Sequence, residues 1–206
     1  MIYRYRPRYN AIINKDFMCD DGRYSYKDIP EYDISVNIHE YINDSILLVS
    51  PNSSLEELYT LQQIATKYNI PISGYSDSYV GNSDEWLILS DKSANRKSLQ
   101  ILDIDTSLEY INNQNKKYIL AIDTIQDVPN KQILRITTKH FSKKDGTIIN
   151  SDGIIQEYSS NIVSSELSLL ELLAREFGTS KNRKEILSHI KDSIEYFKDT
   201  DFVGGK

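Results

Sequence analysis

The sequence predicts an α/β fold, a compact parallel or mixed sheet flanked by helices, and three observations predict it. Short continuous apolar runs at 45–50, 85–90 and 117–124, each bounded by polar or chain-breaking residues, have the character of strands buried on both faces. Stretches with helical apolar spacing alternate with those runs, the order expected of a parallel sheet with crossover helices. A hydrophobic content of 39% in 206 residues is enough for a genuine core, which excludes a globally disordered chain.

The elements follow in order. Ile2 to Arg8 alternates large and basic residues up to Pro7 and reads as a short strand. Residues 10–30 are irregular, with Asp21-Gly22 as a turn signal, and 34–42 carries irregularly spaced apolar residues. SILLVS at 45–50 is a buried strand. Ser53 and Ser54 then stand three residues ahead of Glu56 and Glu57, the spacing at which a hydroxyl and a carboxylate satisfy free backbone N–H groups reciprocally, so a helix is expected over 53–68. Leu55, Leu58, Leu61, Ile64, Ala65 and Tyr68 form its apolar face, and Asn69 with Pro71 ends it.

SGYSDSYVGNS reads as a loop, EWLILS at 85–90 as a strand and DKSANRKS as a surface loop. A short helix at 106–115 precedes a buried strand at 118–124, and a further strand is expected over 133–140. Two Asp-Gly pairs flank Thr147, Ile148 and Ile149, which predicts a hairpin or hooked loop. A leucine-rich helix over 165–177 is closed by Gly178 as a left-handed cap. A last helix over 183–197 carries Ile186, Leu187, Ile190, Ile194 and Phe197 as one stripe, and the GGK tail is expected to fray.

Composition narrows the function. No apolar run approaches the roughly 18 residues that span a bilayer, so direct membrane insertion is not expected. MIYRYRPRYN is unlike a secretion signal, which places the chain inside the cell. A net charge of −6, from 24 basic and 30 acidic residues, argues against nucleic acid as partner. Residues 1–27 are nevertheless net basic, with Arg4, Arg6, Arg8, Lys15, Arg23 and Lys27 against Asp16, Asp20 and Asp21, so the opening segment is chemically distinct.

Catalytic signatures do not emerge. His39, His140 and His189 have no zinc-site spacing, and there is no GxSxG elbow, glycine-rich phosphate loop or HExxH helix. Cys19, the single cysteine, excludes an internal disulfide. Its thiolate could ligate iron, with Lys15 and Arg23 favouring the ionised form, or it could be a free, partly buried thiol. An iron–sulfur cluster needs about four ligands, so one sulfur cannot hold it without a partner.

The string YRYRPRYNAIINKDFMCDDGRYSYKDI, residues 3–29, resembles a segment of the large iron–sulfur subunit of NADH:quinone oxidoreductase, complex I. Related subunits of NAD-linked hydrogenases and formate dehydrogenases share it. SILLVSPNSSLEELYTLQQIA (45–65), EWLILSDKSANRKSLQILDI (85–104), HFSKKDGTIINSDGIIQEY (140–158) and SELSLLELLAREFG (165–178) are similar to stretches of the same subunit, in the same order. The resemblance implies a remnant of a 4Fe–4S domain over 1–33 and a shortened molybdopterin-oxidoreductase-like α/β domain over 34–206. It also places Cys19 at the fourth ligand position of a 4Fe–4S cluster, whose other three cysteines another polypeptide must supply.

No cofactor is expected on the chain alone. Lys144, Asp145, Gly146 and Thr147 keep the family's turn, whereas Lys143 stands where the family has glutamate and Ile154 where it has arginine. Arg4, Arg6 and Arg8 read either as solvated charges at a strand end or, since guanidinium forks pair well with carboxylates, as groups that neutralise an anionic cluster or meet an acidic partner. The implied role is a non-catalytic scaffold or electron-transfer subunit in the peripheral arm of a complex I-type enzyme. Such a chain would be cytoplasmic and held to the inner face of the membrane by other subunits. The alternatives are a structural or interaction protein without redox centres, and an accessory subunit of an NAD-linked hydrogenase or formate dehydrogenase.

Overall fold

The computed structural model describes residues 37–49, 53–74, 111–122, 131–136, 138–139, 143–149, 155–160, 167–194 and 197–198. The chain divides into Met1–Asp33 and Ile34–Lys206, and every described residue lies in the second unit. The predicted strands at 2–8 and 85–90 and the irregular 10–30 segment lie outside the described residues, as does most of the 73–83 loop.

The described elements are helix α1 (Ile38–Tyr41), strand β1 (Ser45–Val49), helix α2 (Leu55–Tyr68), strand β2 (Ile72–Gly74), strand β3 (Tyr118–Ile122) and strand β4 (Gln132–Ile136). Strands β5 (Gly146–Ile149) and β6 (Ile155–Tyr158) and helices α3 (Leu169–Phe177) and α4 (Arg183–Ser193) follow. The fold is α/β. Four strands form an all-parallel sheet in the order β2-β1-β3-β4, and β5 and β6 form a separate antiparallel pair, the predicted hairpin.

Strand alternation explains why the apolar runs are continuous. Leu47 and Val49 of β1 and their neighbours Leu120 and Ile122 of β3 share one face with α2, α3 and α4. Ile46, Leu48, Ile119 and Ala121 share the other face with Ile111. Both faces are buried, so every position of β1 must be compatible with a closed interior.

Helix starts and stops are local chemistry. Ser54 caps α2: its Oγ accepts from Glu57 N at 3.3 Å, while Glu57 Oε2 accepts from Ser54 N at 2.8 Å. The helix therefore begins at Leu55, two residues later than the expected 53. Ser53 and Glu56 make no such reciprocal pair. At the other end Asn69 takes φ 52°, and its N–H reaches the carbonyls of Ala65 and Thr66. Asparagine tolerates that left-handed conformation better than most side chains.

Helix α3 begins at Leu169 rather than 165, because Ser168 and Glu171 form a second reciprocal cap. Leu167 is left outside it and exposed. The predicted left-handed cap is present, Gly178 at φ 68°. The Ser168 amide and hydroxyl, with Lys139 beside them, hold the Glu171 carboxyl below its ordinary pKa of 4.5. A carboxyl lowered on folding contributes stability above its unfolded pKa, and that contribution fades as pH falls through the lower folded value. Glu171→Gln should accordingly lose less stability than the wild type between neutral pH and about pH 3, read by urea melts at both. Equal losses in the two proteins would dismiss the assignment.

Other elements also depart from the sequence pattern. Strand β4 ends at Ile136 instead of 140, and by Lys139 the chain is bonded through its N–H to Leu167 O, away from the sheet. Helix α4 stops at Ser193 instead of 197. Ile194 is extended, and a turn closed by Phe197 N to Ile194 O drops both side chains into the core. Of the expected helix at 106–115, residues 111–113 are helical and 106–110 lie outside the described residues. Strand β2, falling partly in a segment read as loop, owes its existence to the edge of β1, where Leu47 N donates to Pro71 O.

Candidate functional site

Helix α2 opens with two adjacent carboxylates. Neighbours on a helix point about 100° apart, so Glu56 and Glu57 must find different partners. Both are buried, and each finds a cation supplied from far along the chain.

Glu57 Oε1 accepts from Lys144 Nζ at 2.6 Å, while its Oε2 stays on the Ser54 amide. The Lys144 and Glu57 side chains are 6% and 2% exposed, so this pair is out of water. Glu56 Oε2 accepts from Thr147 N at 3.0 Å; its Oε1 accepts from Thr147 Oγ1 at 2.9 Å and from Arg183 Nε at 2.8 Å. The guanidinium also donates through Nη2 to Thr147 Oγ1 at 3.3 Å and lies 3.9 Å from Glu157 Oε1. Two carboxylates thus meet two cations, at a helix N-terminus whose dipole also favours negative charge. Every one of the four carboxylate oxygens accepts from a protein donor.

The hairpin is shaped to reach this point. Gly146 faces Tyr158 across β5 and β6, and a Cβ built at Gly146 would run into the Tyr158 ring. The glycine is there for room, which an aromatic neighbour across the strand fills. This corrects the reading of Asp145-Gly146 as a hairpin turn: the pair opens β5, and Asp145 Oδ1 accepts from Ser160 N at 2.8 Å to tie the open end of the hairpin. Gly146→Ala should cost about 1–3 kcal/mol by overpacking. A thermal melt unchanged from wild type would show that the ring moves aside freely.

A general base or metal ligand needs a lone pair turned toward a reactant. The geometry of Glu56 and Glu57 instead turns each carboxylate oxygen toward the hairpin, Arg183 at the start of α4 or the cap of α2 itself. The arrangement fastens three elements together. None of these residues was singled out by sequence as a pair: the carboxylates read as a helix cap, KKDGT as a turn, and Arg183 only as a helix start. No local signal marks Arg183.

Cys19, the sequence-predicted metal ligand, lies outside the described residues, with Arg4, Arg6, Arg8, Lys15, Arg23 and His140. Among the described residues no group of three or more His, Cys, Asp or Glu is placed to hold a metal ion. His39 is exposed; its Nε2 meets the carbonyl of Glu176 in the last turn of α3, and its ring lies 4.5 Å from that of Phe177. That is a helix-end contact of ordinary kind. His189 is exposed on α4. No described helix is long and apolar enough to cross a membrane.

Fold and site together define an α/β domain in which a buried, charge-balanced cluster clamps an antiparallel hairpin to the first turn of a crossover helix. No protein-family model matches the chain, and a search of curated proteins returns no significant match.

Proposed function

We propose that the chain is a non-catalytic scaffold or electron-transfer subunit in the peripheral arm of a complex I-type NADH:quinone oxidoreductase. The observation that carries the reading is the meeting of two motifs that resemble that family's large iron–sulfur subunit. The SSLEE and KKDGT strings, whose bonded residues stand 87 and 91 apart, contribute Glu57 to Lys144 and Glu56 to Thr147. Other subunits of such an enzyme are the proposed partners, holding this chain at the cytoplasmic face of the membrane. A 4Fe–4S cluster would be bound only if a partner supplies three thiolates beside Cys19.

The role of both carboxylates in fastening the hairpin and α4 to α2 favours a second reading, an interaction protein that keeps the fold and carries no redox centre. A place as accessory subunit of an NAD-linked hydrogenase or formate dehydrogenase rests on the same motifs. Purification of the tagged chain from native membranes, followed by mass spectrometry, separates these readings. Recovery with quinone-reducing subunits is expected; recovery without any redox subunit would refute the proposal. In the assembled complex Cys19→Ser should remove one cluster signal from the electron paramagnetic resonance spectrum and leave the helicity of the isolated chain unchanged. Identical spectra for both assemblies would take Cys19 out of the electron path.

A further inference from the structure

We draw no further inference here: the strongest candidate, the buried Ser53 hydroxyl without a hydrogen-bond partner at the N-terminus of α2, carries nothing because it belongs to the same carboxylate-bearing turn as the site already described and no second observation shows what would fill it.

Discussion

Glu56→Ala is expected to lower the unfolding free energy by about 3–5 kcal/mol, the range typical for breaking a buried ion pair from one side. The carboxylate is fully buried and is the acceptor for three donors, Thr147 N, Thr147 Oγ1 and Arg183 Nε. Truncation leaves all three facing a void. Arg183, at 27% exposed, can turn partly to solvent and recover some of its loss. The Thr147 amide sits on a fixed strand and cannot, and an orphaned buried donor alone costs about 1–3 kcal/mol. Since domains are stable by only about 5–15 kcal/mol, this variant should be close to half unfolded at modest urea concentration. Glu56→Gln keeps the size but turns an amide NH2 toward a set of donors, and should fall between the two. Urea denaturation followed by circular dichroism measures all three proteins. A loss under about 0.5 kcal/mol for Glu56→Ala would class the cluster with solvated surface pairs and end the clamp argument.

Lys144→Met should cost a similar amount, about 3–5 kcal/mol, by stranding the Glu57 carboxylate in a site almost closed to water. Here the informative comparison is the double variant. Glu57→Gln combined with Lys144→Met removes both charges while keeping volume, and the glutamine oxygen can still accept from the Ser54 amide. The double variant should therefore be more stable than Lys144→Met alone, by about 1–3 kcal/mol, because the uncompensated charge is gone. That non-additivity is what distinguishes a buried pair from two independent helix-end effects. Strict additivity in the double-mutant cycle, with each change costing only what a lost cap would, about 1 kcal/mol, would show that Lys144 does no more than sit nearby.

The same cluster shows where sequence reading reached and where it stopped. Strands β1 and β3 were legible because burial on both faces excludes unpaired polar side chains along the run; Ser45, the one buried hydroxyl of β1, donates to Tyr41 O. The stop of α2 at Asn69 and of α3 at Gly178 was legible for a similar reason: a left-handed residue is needed there and few side chains accept it. The start of α3 was present in the sequence as Ser168 three residues before Glu171, yet the longer leucine run pulled the expected start to 165. Cap spacing is the sharper signal there, because a helix begins where its free amides are satisfied rather than where apolar residues begin.

Other features depend on chain that lies far away. Strand β4 leaves the sheet before Lys139, whose N–H bonds to Leu167 O, and α4 ends where Ile194 becomes extended, with Ile194 and Phe197 both in the core. Strand β2 exists because β1 offers an edge.

The sequence by itself determined the α/β class, the hairpin and the stops of α2 at Asn69 and α3 at Gly178, since runs, turns and left-handed caps are written in residues close to one another. Only the tertiary structure decided that Glu56 abandons the cap for Thr147 and Arg183 while Glu57 both keeps the cap and neutralises Lys144. The physical reason is that a carboxylate entering a dry interior must be matched by a cation. Which cation reaches it is settled by how the chain returns, not by its neighbours in sequence.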